Sequence, residues 1–299
     1  MYNIIPITII LFSIYFLITL EIKRERRLCK IKDIYIHTDK KIGKYDFLYV
    51  SDFHDTDNKM CLSCVESVCR YDTDIKDIIS GGDMITYSPK RKTGLLYENF
   101  MKLLDIIKSY DKNFYYGYGN HENRLRLIRK KFKNDIDDLD SYERDIKNYD
   151  MHILDDTHVD IKKGVRLYEI ALMIEYYKKN FSHKEISRRL TREKIYEHVG
   201  DIDKSYYNII LCHNPDYAEN LIDYGFDLVL SGHIHGGLIR LPFIGPLFSP
   251  EATFLPPYNK GQYKYKDKDI VVSNGMGEHT IKIRLNNIPE VYKIHISEK

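Results

Sequence analysis

The chain has 299 residues, 43% of them hydrophobic and 30% charged, which is enough for one large core or two modest ones and excludes an intrinsically disordered protein. Its 46 Lys and Arg residues balance 44 Asp and Glu, for a formal net charge of +2, so no bulk field argues for a polyanionic partner such as a nucleic-acid duplex. Five dispersed cysteines, an odd number, suit a reducing compartment better than a disulfide framework.

The first twenty residues, MYNIIPITIILFSIYFLITL, carry no charged side chain, and a helix rising about 1.5 Å per residue would take them across about 30 Å of hydrocarbon. This predicts a transmembrane anchor over residues 1–22. A cleaved export signal, the alternative, would need a basic start and a small-residue cleavage site, and neither is present. The basic flank of Lys23, Arg24, Arg26, Arg27, Lys30 and Lys32 follows, and the positive-inside rule then predicts a single-pass membrane protein with the rest of the chain cytoplasmic. Residues 23–44 are expected to be a basic juxtamembrane linker and 45–299 the folded domain.

From Tyr45 onward a strand, loop, helix pattern repeats. Tyr45 to Val50 reads as a strand entering "SDFHD", Lys59 to about Tyr71 as a helix, and Ile75 to Ile79 as a strand entering "GGDMI". Tyr97 to Tyr110 places apolar residues at 100, 103, 104 and 107 on one helix face, and Phe114 to Tyr116 runs into "GYGNHE". Cys61-x-x-Cys64 has no matching second pair, and with Val65, Val68 and Cys69 it falls at helical spacing, so it reads as packing and not as zinc or redox chemistry. The basic block Arg124 to Lys133 and the acidic block Asp135 to Asp145 read as solvated helix, with a lid over a site as the alternative. Ser182 to Glu185 fits a capping box opening a helix through about His198. Tyr206 to Leu211 and Phe226 to Leu230 are strands ending in "CHNPD" and "SGHIHGG". Leu241 to Tyr265 reads as an ordered, proline-rich loop, and Ile270 to Val272 and Val291 to Ile296 as closing strands. The alternation predicts an α/β fold with right-handed crossovers.

Asp52, His54, Asp83, Asn120, His121, His213, His233 and His235 each follow a predicted strand, so a layered α/β fold gathers them at one edge. Imidazole, carboxylate and amide oxygen together are the donor mixture of divalent Mn, Fe, Co or Zn. Two carboxylates, an amide and at least four histidines are too many for one tetrahedral ion and suit two ions sharing a carboxylate. Asp52-x-His54 and His233-x-His235, taken as extended segments, point both side chains of each pair to one side. Gly232, Gly236 and Gly237 then allow φ > 0 and close backbone approach. His37, His152, His158, His183, His198, His279 and His295 lie in no motif and are expected at the surface or in the core, with His279 of "GMGEHT" the one candidate for lining the pocket.

In this order, "DFH", "GGD", "GNHE", "CHNPD" and "GHIHGG" resemble the signature of the calcineurin-like metallophosphoesterase superfamily, over about Tyr45 to Ile296. "IGPLFSPEATFLPPY" and "NGMGEHTIKIRLNNIPEV" resemble its membrane-associated bacterial branch, which includes phosphodiesterases and UDP-2,3-diacylglucosamine pyrophosphatases. The resemblance implies a four-layer α/β/β/α sandwich with two divalent metal ions, manganese first and iron, zinc or cobalt next. It implies that Asp52, His54, Asp83 and His235 hold one ion, and that Asp83, Asn120, His213 and His233 hold the second, with Asp83 bridging. His121 then corresponds to the non-ligand histidine that stabilises the phosphoryl oxygens or protonates the leaving group.

The implied reaction is hydrolysis of a phosphodiester or pyrophosphate bond by in-line attack of a metal-bridging hydroxide. Its substrate would be a small phosphoester, a nucleotide or a lipid-linked phosphate, reached from a membrane anchor without an obligate protein partner. The alternatives are a metal-binding scaffold without turnover, against which His121 speaks, and a nuclease, against which the near-neutral charge and the lack of an aromatic-basic groove speak.

Overall fold

A computed structural model describes residues 4–87, 95–131, 137–177, 183–237, 239–241, 244–246, 253–278 and 282–299. The chain opens with α1 (Ile4–Glu25), β1 (Lys30–Thr38), β2 (Tyr45–Val50), α2 (Lys59–Tyr71), β3 (Asp77–Ser80), β4 (Thr86–Tyr87), β5 (Leu95–Leu96), α3 (Glu98–Ser109), β6 (Asn113–Tyr116), α4 (Asn120–Lys131), α5 (Asp137–Ile146) and β7 (Met151–Ile153). It continues with β8 (His158–Lys162), β9 (Val165–Glu169), α6 (His183–Ser187), α7 (Arg192–Val199), β10 (Tyr207–Leu211), α8 (Ala218–Tyr224), β11 (Leu228–Ser231), β12 (Arg240–Leu241), β13 (Gly245–Pro246), β14 (Gly261–Tyr265), β15 (Lys268–Val272) and β16 (Glu290–Glu298).

Two six-stranded sheets form, ordered β1-β16-β2-β3-β6-β7 and β14-β15-β11-β10-β9-β8. The centre of each is parallel, β2 with β3 and β6 in the first sheet and β9, β10, β11 and β15 in the second. Strands covered on both faces read as continuous apolar runs, and all six residues of β2 and all five of β10 are buried. Between the sheets, Phe47, Tyr49, Ile79 and Tyr292 pack with Leu167, Ile209, Leu230 and Val271. Outside the first sheet, α2 and α3 add Cys61, Val65, Val68, Phe100, Leu103 and Ile107. Outside the second, α7 and α8 add Ile195, Leu221 and Ile222. These are the four α/β/β/α layers of the expected fold.

Several elements differ from the sequence reading. Residues 30–38, read as linker, form a nine-residue strand paired in parallel with β16, which turns Ile34 and Ile36 inward. The β8–β9 hairpin went unread because β8 buries no residue and so lacks a clean alternation. The single helix expected through His198 is two, α6 and α7, with Thr191 capping the second through Lys194 N–H at 3.4 Å. Ser182 of the expected capping box lies outside the described residues, as do His279, residues 132–136 of the charged blocks and parts of the proline-rich loop. The α2 reading of the Cys61-x-x-Cys64 segment agrees with the structure, and all five thiols are free.

The expected membrane anchor is not supported. Among the described residues no helix is long and apolar enough to cross a membrane, which overturns the single-pass membrane localisation and the membrane as partner through that helix. The apolar run of α1 gives way to Glu21, Lys23, Arg24 and Glu25, and Glu25, at 4% exposure, is packed into the folded domain.

Candidate metal centre

Asp52 and His54 follow β2, Asp83 follows β3, and Asn120 and His121 follow β6, all in the first sheet. His213 follows β10, and His233 and His235 follow β11, in the second. All eight therefore leave the carboxyl ends of parallel strands, and the two sheets meet there. The mechanism of placement differs from the extended segments expected. Asp52, His54, Asp83, His233 and His235 all have left-handed backbone, with φ of 53°, 50°, 53°, 68° and 51°. Such conformations cost non-glycine residues on the order of 1–3 kcal/mol each and cluster at functional sites. They are held here by a backbone lattice: Asp52 N donates to Gly82 O and His54 N to Asp83 O, each at 2.9 Å, and Gly277 N donates to Asp52 O at 2.8 Å. Gly232 is required by proximity alone, because a Cβ there would lie 2.2 Å from both Asp52 Oδ2 and Ser51 Oγ.

The donors fall into two groups of three. Asp52, His54 and His235 have ligand atoms within 4.8 Å of one another, and so do Asp83, His213 and His233. A third such grouping, His54, Asp83 and His121, joins them. The His54 and His235 rings present Nε2 to Nε2 at 3.0 Å, and His235 Nε2 lies 3.3 Å from Asp52 Oδ1. Asp83 Oδ2 lies 3.2 Å from His213 Nε2 and 3.7 Å from His54 Nε2. Converging imidazole lone pairs and carboxylates fit a divalent cation. So does a buried atom with no hydrogen-bond partner, Asn120 Oδ1, since buried polar atoms are otherwise nearly always paired.

Hydrogen bonds fix the tautomers. His213 Nδ1 lies 2.7 Å from the Gly81 carbonyl, which only accepts, so the proton sits on Nδ1 and Nε2 faces the carboxylates. Tyr87 N–H donates to His121 Nδ1 at 3.3 Å, which leaves the proton of the neutral ring on Nε2. Burial lowers the His121 pKa, although Asp83 pulls it upward. Burial pushes the Asp52 carboxyl up, with His213 opposing and Asp83 adding. At Asp83 burial is outweighed by His213 and His121, which hold its carboxyl well below the usual range. At His213 burial is likewise outweighed, and Asp83 and Asp52 bring it up to about 10. The upward shifts at Asp52 and His213 favour bound protons and the downward shifts at His121 and Asp83 oppose them, which leaves an anionic Asp83 at the middle of the cluster for a cation to meet.

Three supporting groups escaped the sequence reading. Glu122 is buried and accepts from Asp83 N–H and Met84 N–H at 2.9 Å, Gly119 N–H at 3.0 Å and the Tyr116 hydroxyl at 2.7 Å. A signal was present, since a Glu at the third position of a helix often reaches back to the capping residue's N–H. Asn287 donates to the carbonyls of His235 and Gly237, and Tyr177 sets its ring edge-on to His233 at 4.9 Å. No local pattern announces these two. His37, His152, His158, His198 and His295 make their contacts elsewhere, with Ser297, Tyr115, Tyr168, Asp156 and the pair Asp33 and Asp46.

The family model for calcineurin-like phosphoesterases matches residues 45–237. Among curated proteins, the uncharacterized metallophosphoesterase YkuE of Bacillus subtilis is 39% identical over 28% of this chain and 29% of its own. Phosphodiesterase YaeI of Escherichia coli is 35% identical over 29% of this chain and 32% of its own. UDP-2,3-diacylglucosamine pyrophosphatase LpxG of Chlamydia trachomatis is 33% identical over 30% of this chain and 29% of its own. The matched segments span about a third of these relatives' lengths. The family match covers more than half of the chain and ends on the last of the clustered histidine loops, so this protein belongs to the calcineurin-like phosphoesterase family of metal-dependent hydrolases.

Proposed function

We propose that the chain hydrolyses a phosphodiester or pyrophosphate bond at a centre of two divalent ions, manganese first, with iron, zinc and cobalt the other candidates. The observation that carries this reading is that Asp52, His54 and His235 form one cluster of donors and Asp83, His213 and His233 another, with His54, Asp83 and His121 linking the two. Asp52, His54 and His235 would hold one ion. His213, His233 and Asn120 would hold the other, with Asp83 shared between them. When bound, such a pair supplies Lewis-acid stabilisation of phosphoryl charge and lowers the pKa of a water molecule.

The chain's own residues do the rest. His121, neutral and with its proton on Nε2, donates a hydrogen bond to a phosphoryl oxygen; delivering a proton to the leaving oxygen would require its imidazolium form, which burial and the Tyr87 N–H at Nδ1 oppose. Its backbone N–H donates to Asp83 Oδ1 at 2.8 Å, which keeps the ring in register with the shared carboxylate. His54 and His121 open onto a cleft of about 1600 Å³ whose walls include Lys23, Arg27, Lys59 and Lys282 as well as Met60, Leu95, Leu96 and Met101. Asp55, Asp57, Glu98, Asp145 and Glu278 line the same cleft, so its charge is balanced, and it is its size and its apolar wall that suit a phosphate carried on a larger group, such as a nucleotide or a lipid-linked phosphate.

The test is Mn²⁺-dependent hydrolysis of bis-p-nitrophenyl phosphate and p-nitrophenyl phosphate by the full chain, with Asp83→Asn as control. Faster cleavage of the diester and a dead control are expected. Two Mn²⁺ bound per chain with neither ester cleaved, nor any diphosphate, would favour a scaffold without turnover. A chain that binds no metal refutes the reading.

A further inference from the structure

His235 is a non-glycine residue at φ 51°, and the two glycines after it continue in positive φ at 68° and 79°, so the turn that aims His235 has one strained residue followed by two that are free to take other conformations. Asn287 clamps this turn from outside. Its Nδ2 donates to His235 O at 2.6 Å and to Gly237 O at 2.8 Å, and a Cβ on Gly236 would lie 2.6 Å from its Oδ1. Asn287 is itself 1% exposed and oriented from two sides: Arg284 Nη1 donates to its carbonyl at 3.1 Å, and its own N–H donates to Glu25 Oε2 at 2.9 Å. Glu25 is the last residue of α1, 262 positions away.

We infer that Asn287 and Glu25 are positioning residues of the metal centre, Asn287 by fixing the backbone that aims His235 and Glu25 by fixing Asn287. The inference rests on the phosphoesterase reading above. Both residues lie outside the segment matched by the family model, and the resemblance of the stretch around Asn287 to a bacterial branch of the family assigns that residue no role. A second attachment supports the same geometry. Arg26, next to Glu25, pairs with Glu278 through both carboxylate oxygens, and Gly277 beside it donates its N–H to Asp52 O. The end of α1 is therefore tied to the backbone of two donors of one group, Asp52 and His235.

The experiment is calorimetric titration of Mn²⁺ into the metal-stripped full chain, for wild type, Glu25→Ala, Asn287→Ala and the double variant, with melting of each metal-free protein in parallel. Removing a group that orients a ligand typically weakens metal affinity about 10- to 100-fold, so each single variant should lose that much at one of its ions. The double variant should lose no more than the worse single, because both act through one carbonyl clamp. Glu25→Gln, which keeps an acceptor for Asn287 N–H, should recover most of the loss. Wild-type Mn²⁺ affinity in folded variants, with only the metal-free melting lowered, would make the contacts merely structural and overturn the inference, as would additive losses in the double. If Asn287→Ala does not fold, Glu25→Ala against Glu25→Gln decides alone. A wild-type chain that binds no Mn²⁺ refutes the phosphoesterase reading first and this inference with it.

Discussion

Glu122 is where stability and the metal centre meet, and its replacement has a calculable outcome. One carboxylate oxygen takes the N–H groups of Asp83 and Gly119, and the other takes the N–H groups of Met84 and Ile85 and the Tyr116 hydroxyl. In Glu122→Ala four buried backbone N–H groups, those of Asp83, Met84, Ile85 and Gly119, lose their acceptor, at about 1–3 kcal/mol each, or roughly 4–12 kcal/mol in all before relaxation. In Glu122→Gln one oxygen remains. The amide settles with its NH₂ toward Tyr116, whose hydroxyl rotates to accept, so Met84 N–H and the longer-bonded Ile85 N–H are stranded and the loss is about 2–6 kcal/mol, smaller than for alanine. A whole domain is typically stable by about 5–15 kcal/mol, so the alanine variant should be close to unfolding and the glutamine variant should fold. The chain has no tryptophan, so urea unfolding of the metal-free protein would be followed by far-ultraviolet circular dichroism. An alanine variant within about 0.5 kcal/mol of wild type, the ordinary range for a surface substitution, would refute the claim that Glu122 holds the Asp83 and Gly119 turns.

Three further outcomes follow from the geometry. His121→Ala should keep the bound metal, since its imidazole belongs to neither proposed ligand set, while turnover falls on the order of 10²- to 10⁴-fold; metal loss in proportion to activity would remove its assigned role. Gly232→Ala drives a methyl to 2.2 Å from Asp52 Oδ2 and Ser51 Oγ, so metal content measured by mass spectrometry should drop, and an unchanged content would show that Asp52 is free to move. His198 accounts for a pH dependence of stability: its hydrogen bond to Asp156 raises its pKa above the ordinary value, against the opposing effect of burial. A raised imidazole pKa stabilises the fold fully below about 6.5 and ceases to do so as pH rises through the folded value, so the urea midpoint should fall across that window and fall less in Asp156→Asn.

How much of this was readable from the chain depended on the range of the interaction. Tyr45–Val50 and Lys59–Tyr71 were legible to the residue because a doubly buried strand and an amphipathic helix each write their environment into a local period. The eight candidate site residues stood out in the sequence because each follows shortly after such a strand, and the structure brings seven of them into groups that could hold a metal, Asn120 being the eighth. β1 was not legible, since its exposed, lysine-bearing start hides an inward alternation confined to its second half. Nor did the apolar N-terminal run reveal that its helix ends with a buried Glu25, because the partner of that carboxylate is an N–H 262 residues away.

The sequence by itself determined the layered α/β fold, the loops that carry the donors and the chemical type of those donors, all of which follow from side-chain period and residue identity within a few positions. Only the tertiary structure decided how the candidate donors cluster, which left-handed backbones aim them, and which residues hold those backbones in place. Glu122, Asn287 and Glu25 act through hydrogen bonds to main-chain atoms, and a main-chain atom has no letter in the sequence to mark it.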